Sequence, residues 1–236
     1  MSSTLDVHLA ACRIEEAFKR SFEHVHVMSN LIIPLPDGRR VKTAELDSLV
    51  VCEAGVFVFE VKGWAKTFVE RIELAGMEKK QWVLRSPNGQ SFNVCDPVAQ
   101  GVEKMIELRK QLPAEVMSQN YVLFTGEEVT LCGHLPSSTL TLEDLPYMAR
   151  MIRSNSKRSK RSVWRTPQGV QDLVATLKRL SSIHSHAEHV KAVIASKASG
   201  LTPTVHVCPA NAPGLLFTPN FLSCFSKDCQ EECQPV

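Results

Sequence analysis

The sequence predicts a mixed α/β protein, and three observations carry that prediction. A helical apolar pattern opens the chain. Two short apolar runs, Leu49 to Cys52 and Val56 to Phe59, then flank a polar turn at Glu53-Ala54-Gly55, which reads as a hairpin of largely buried strands. Further strand-like runs are followed by a helix start at Asp96-Pro97 and an apolar strand candidate at Tyr121 to Thr125, so helices and strands interleave within one sheet.

With 236 residues, 44% of them hydrophobic and 22% charged, the chain can build one good core plus an appendage, or two small domains. The net charge of +2 selects no partner, because the basic residues are unevenly spread. Met1 to Arg13 carries Asp6 and His8 and has no apolar stretch of the secretory kind, and no aliphatic run approaches membrane length, so the expected location is the cytosol, away from membranes. The eight cysteines are scattered, and in a reducing compartment most should be thiols, with Cys12, Cys52 and Cys95 as small core residues.

Leu5, Leu9, Cys12, Ile14, Phe18 and Phe22 recur at near-helical spacing, so an amphipathic helix is expected between Leu5 and Glu23, with Glu15 and Glu16 in its middle. Val25 to Pro34 reads as a first strand, closed by Pro36-Asp37-Gly38 and followed by Arg39-Arg40. The hairpin comes next. A four-residue loop from Cys52 to Gly55 pairs Val51 with Val56, and counting back sets Asp47 opposite Glu60, with Lys62 on the Glu60 face. Such charges can simply end strands and discourage edge pairing. Two opposed carboxylates with an ammonium one step along also suit a divalent cation and an attacking water beside a phosphate.

Lys66 to Leu74 and Gln81 to Arg85 read as two more strands around the Gly76 region. Asp96 caps a helix with Pro97 at its first position, which carries Gln100 on its first turn and is stopped by Pro113. A further helix is expected from Leu142 to Ile152, opened by Thr141 and Glu143.

The ordered blocks Ala44-Glu45-Leu46-Asp47, Phe57-Val58-Phe59-Glu60-Val61-Lys62-Gly63, Gln81-Trp82 and Asn93-Val94-Cys95-Asp96-Pro97-Val98-Ala99-Gln100 resemble the nuclease-related domain (NERD) family. That family belongs to the restriction-endonuclease-like PD-(D/E)xK superfamily, and the likeness spans roughly residues 8 to 125. It implies a restriction-endonuclease-like mixed sheet flanked by helices. It also implies that Asp47 and Glu60 ligate Mg²⁺ or Mn²⁺, with the Val61 carbonyl as a further ligand. Lys62 would orient or activate the water and offset phosphate charge, and Gln100 would help to hold the site. Glu16 is the choice for a first-helix acid and Glu15 its rival; an acid on a helix is otherwise a solvated face. Where the family often shows Asn-Pro, this chain has Asn93, Cys95 and Asp96 around Pro97. The chemistry is consistent: phosphodiester hydrolysis needs an activated water and relief of charge on the phosphate, and oxygen ligands select hard cations.

From Ala149 to Arg165 there is no acid, and Arg150, Arg153, Lys157, Arg158, Lys160, Arg161 and Arg165 make a basic, flexible segment. It is either a solvated linker or a cationic strip whose Lys157, Arg158, Lys160 and Arg161 attract the phosphate backbone without reading sequence. Thr166-Pro167 opens a helix containing Val170, Leu173, Val174, Leu177 and Leu180, and another is expected from His184 to Lys197. Beyond Ser199, prolines 203, 209, 213 and 219 indicate an irregular tail. Its Cys208, Cys224, Cys229 and Cys233, with His206, lack a Cys-x-x-Cys knuckle, so zinc is not expected there.

The expected organisation is a nuclease-related domain over 1–125, a helical basic extension over 126–198 and a Cys/Pro-containing tail over 199–236. The expected function is metal-dependent hydrolysis of DNA, or of RNA in its place. The alternative is a weak or inactive nuclease fold that binds nucleic acid or a protein partner; a second copy of the chain is a further companion to consider.

Overall fold

The computed structural model describes residues 4–35, 42–73, 80–158, 163–183 and 185–199. Helix α1 (Thr4–Lys19) is followed by β1 (Val25–Pro34), β2 (Thr43–Cys52) and β3 (Gly55–Lys62). Then come β4 (Phe68–Glu73), β5 (Lys80–Arg85), β6 (Ser91–Val94) and α2 (Pro97–Arg109). Strands β7 (Ser118–Phe124), β8 (Thr130–Leu131) and β9 (Thr139–Thr141) precede α3 (Leu145–Arg158), α4 (Pro167–Ser181) and α5 (His186–Ser199). Among the described residues no helix is long and apolar enough to cross a membrane.

The strands form two mixed sheets. The larger has the order β1-β2-β3-β7-β9, antiparallel through β3 and parallel from β3 onward. Its middle strand β3 is buried along its whole length, which explains why its sequence is nearly continuous in apolar residues rather than alternating. Phe57, Phe59 and Val61 pack on one face against Ile14 and Phe18 of α1 and Met148 and Ile152 of α3. Val56 and Val58 pack on the other against Met105 and Leu108 of α2 and Leu173 and Leu177 of α4. Phe59 is fully buried, so its truncation to Ala costs about 3–5 kcal/mol.

The smaller sheet, in the order β6-β5-β4-β8, docks on the first through Val69 and Trp82 against Val122 and Phe124. The sequence read β4 and β5 as strands of a single sheet. Pairing partners are nonlocal, and the packing of Val69 and Trp82 against β7 shows where these strands go.

The expected boundary near residue 125 does not coincide with a break in packing. Leu140, Leu145 and Met148 share a core with α1, and Val170 and Leu173 share one with α2. The basic segment is also less linker-like than expected, because α3 continues through Arg158 and the Arg153 guanidinium donates to the Ser21 carbonyl. The side chains of Lys157 and Arg158 lie outside the described part, as do Lys160, Arg161, Arg39, Arg40, the Gly76 region and the tail with His206 and its four cysteines. Cys52 is buried and free, whereas Cys12 is exposed and Cys95 is half-buried, so neither of the last two is the core residue that was expected.

A candidate acidic site where two strands part

The hairpin has the expected register, with Val51 opposite Val56, but Cys52 pairs with Gly55 and leaves only Glu53 and Ala54 in the loop. The β2–β3 ladder ends at Ser48 opposite Phe59. At the next position Asp47 leaves the ladder, and its Oδ2 accepts the Val61 amide at 2.8 Å in place of a backbone carbonyl. This bond aims the carboxylate at the Glu60 end of β3. The same level is irregular in β1: Asn30 has φ +53°, and the inward alternation slips there by one residue in both strands. Leu31 and Ile33 therefore share a layer with Met28, and Ala44 and Leu46 share it with Leu49 and Val51.

Glu60 is 3% exposed and Lys62 8%, both on the α2 side of β3. Lys62 Nζ donates to Glu60 Oε1 at 2.9 Å and to Gln100 Oε1 at 3.3 Å. The cap found on α2 is the expected one: the Asp96 side chain accepts the Val98 and Ala99 amides, and Pro97 starts the helix, which places Gln100 on the first turn. Sequence reasoning missed a second ammonium. Lys104 Nζ donates to Glu60 Oε2 at 2.6 Å, so each oxygen of Glu60 carries a lysine. Lys104 lies one helical turn after Gln100, and that i,i+4 spacing was the available signal. A Cβ at Gly101 would overlap the side-chain amide of Asn120 on β7, so the glycine lets α2 approach the sheet closely enough for both side chains to reach β3.

The two carboxylates differ in their electrostatics. Burial, reinforced by the charge of Glu60, raises the Asp47 pKa to about 6 despite Lys104, Lys62 and the Val61 amide. Burial acts upward on Glu60 too, but Lys104 and Lys62 outweigh it and lower that carboxyl to about 2. Lys104 is raised to about 12: burial opposes its charge, and Glu60, Asp47 and Glu45 more than restore it. Glu45 is itself paired with His186 of α5, Oε1 to Nε2 at 3.2 Å.

Asp47, Glu60, Lys62 and Gln100 are thus brought together, and Glu16 is not. Glu16 sits on the outer face of α1, held by Arg13 and Arg20, while Glu15 pairs with Lys19 at 2.6 Å. The buried stripe of α1 runs through Val7, Ala10, Ile14 and Phe18, which turns position 16 toward solvent. α1 delivers a different acid to the end of β3: the Asp6 carboxylate lies against Gly63, where a Cβ would overlap it.

A mixed sheet sandwiched by helices, with an aspartate, a glutamate and a lysine converging where two strands part, defines an α/β protein of nuclease-like architecture. The chain belongs to the nuclease-related domain (NERD) family, whose model matches residues 8–125, half of its length. No curated protein and no solved structure matches it.

Proposed function

We propose that this chain hydrolyses phosphodiester bonds of DNA with Mg²⁺ or Mn²⁺ held by Asp47 and Glu60. The observation that carries this reading is the pairing of the buried Glu60 and the half-buried Asp47 with Lys62 at the end of a nuclease-related β3. Among the described residues no group of three or more His, Cys, Asp or Glu side chains is gathered for a metal; the donor set this reading takes is Asp47 and Glu60, with the Val61 carbonyl as the further oxygen the family resemblance implies. That set fits a hard cation that keeps several waters. Asp47 supports the fit, because burial beside Glu60 leaves it short of positive charge. Bound there, such an ion lowers the pKa of a water and offsets the charge that builds on the phosphate.

The chain's own residues supply the rest. The Val61 amide fixes the direction of Asp47, and Gln100 holds the ammonium of Lys62 beside Glu60; in this reading Lys62 orients water or neutralises a phosphate oxygen. In this reading residues 1–125 form the catalytic unit. The extension over 126–198 adds affinity through Lys157, Arg158, Lys160 and Arg161, and the tail over 199–236 carries no metal.

The test is incubation of the purified protein with circular and linear DNA, and with RNA, in Mg²⁺, Mn²⁺ or EDTA. Cleavage that needs metal and is lost in Asp47→Ala supports the reading, and cleavage that survives Asp47→Ala overturns the site. The double lysine contact on Glu60 favours a second reading, a nuclease fold kept for binding. That reading expects DNA to be retained on the protein with no cleavage in any metal.

A further inference from the structure

We propose that Lys104 is the resident cation of this site: it holds Glu60 in the metal-free chain, and Glu60 becomes available to a divalent ion only when Lys104 lets go. The inference rests on the reading of Asp47 and Glu60 as metal ligands. Glu60 has two oxygens, and both are occupied, Oε1 by Lys62 at 2.9 Å and Oε2 by Lys104 at 2.6 Å. The Lys104 side chain is 16% exposed, so water screens this contact only weakly. Its charge is also felt by Asp47 and Glu45, which makes it the common counter-ion of three acids contributed by β2 and β3. A divalent ion against the same Glu60 oxygen would meet an ammonium at contact distance, and like charges in a poorly hydrated site exclude each other.

The two lysines are not equivalent. Lys62 is tethered on the Gln100 side by a second acceptor and belongs to β3, whose backbone is fixed by pairing on the β7 side. Lys104 reaches in from a helix on a flexible four-carbon stem. A phosphate entering the site offers Lys104 the negative charge it would otherwise take from Glu60. Nucleic acid and metal should therefore each raise the affinity of the other, because both act through the release of one ammonium. Lys104 is a positioning residue in this scheme.

The experiment is calorimetric titration of Mn²⁺ into nucleic-acid-free protein, comparing the wild type with Lys104→Met and Lys104→Arg. Lys104→Met should bind Mn²⁺ at least about tenfold more tightly, within the 10–100-fold range by which groups next to ligands tune metal affinity, and Lys104→Arg should stay near wild type. Equal or weaker binding in Lys104→Met overturns the inference while leaving the metal site standing. Binding in none of the three overturns the metal-dependent reading and this inference together. If Lys104→Met does not fold, nitrogen-15 spectra of the wild-type lysine ammonium groups serve instead. A slowly exchanging Lys104 signal should be seen without metal and lost on addition of Mg²⁺, and its persistence at metal saturation would overturn the inference.

Discussion

Neutralising the two acids of one site, one at a time, should shift stability in opposite directions in protein held metal-free by EDTA. Glu60→Gln leaves the buried Lys62 ammonium and the half-buried Lys104 ammonium facing one amide, whose oxygen can satisfy only one of them. The Glu60 carboxyl stands at about 2 against an ordinary 4.5. A depressed carboxyl contributes stability that is present above the unfolded value and lost as pH falls through the folded one. The difference corresponds to about 3 kcal/mol at pH 7, and breaking a buried ion pair typically costs about 3–5 kcal/mol. Asp47→Asn should do the reverse. Its carboxyl is raised from 3.8 to about 6, so its contribution is present below the unfolded value and is lost as pH rises through 6. The ionised side chain therefore opposes folding at pH 7, and Asn, which can still accept the Val61 amide, should gain up to about 3 kcal/mol. Urea unfolding followed by circular dichroism at pH 7 and pH 4.5 measures both. At pH 4.5 the Asp47→Asn gain should shrink to about 1 kcal/mol, while the Glu60→Gln loss stays nearly whole. Changes of the same sign at pH 7, or a stabilised Glu60→Gln, would refute the assignment of both lysines to Glu60.

Three further outcomes are expected. Lys62→Met should keep Mn²⁺ binding in a calorimetric titration while turnover falls about 10²–10⁴-fold, as for loss of a proton-transfer group, and loss of metal binding with the lysine would contradict that division of labour. Changing Lys157, Arg158, Lys160 and Arg161 together to Gln should weaken DNA binding about equally for every sequence and flatten its dependence on salt, with turnover at saturating DNA unchanged; an unaltered slope of log affinity against log salt would make the segment a plain linker. Burial pushes the Cys52 thiol up to about 12, so a thiol reagent mapped by mass spectrometry should label exposed Cys12 in the native protein and Cys52 only on unfolding. Rapid native labelling of Cys52 would show that the hairpin opens far more readily than a buried pair of strands should.

The parts of the fold legible in the sequence were those fixed by local chemistry. The paired apolar runs of the hairpin set the Val51–Val56 register, and the Asp96-Pro97 and Thr166-Pro167 starts placed α2 and α4 with their caps. What escaped depends on partners distant in the chain. Strand β6 is mostly exposed and β9 has only three residues, so neither carries a pattern of its own. Lys104 escaped because a lysine on a helix is ordinarily solvated; its i,i+4 spacing from Gln100 marked the helix face they share, but not the glutamate 44 positions earlier that it meets. The Glu16 assignment erred against a signal that was present. Ile14, Ala17 and Phe18 define the inward stripe of α1, and position 16 falls on the opposite side. Strict alternation along β2 also gave way at Asp47, where the slip opposite Asn30 is a backbone property that the side-chain pattern does not record.

The charge balance of the site bears on why one buried and one half-buried lysine are tolerated there. Asp47 and Glu60 against Lys62 and Lys104 form a neutral set, and ion pairs this deep seldom add stability over apolar packing of the same volume. A divalent cation alone would leave the set with an excess of two positive charges in a poorly hydrated place. A phosphodiester brings one negative charge back, and release of Lys104 to that phosphate moves an ammonium off Glu60. The balance is therefore kept best when metal and nucleic acid are present together and worst with metal alone. On this reading the second lysine makes the chain a poor binder of metal until its substrate arrives. The sharpest measure of it is the ratio of Mn²⁺ affinities with and without DNA, which should be large in the wild type and fall toward one in Lys104→Met.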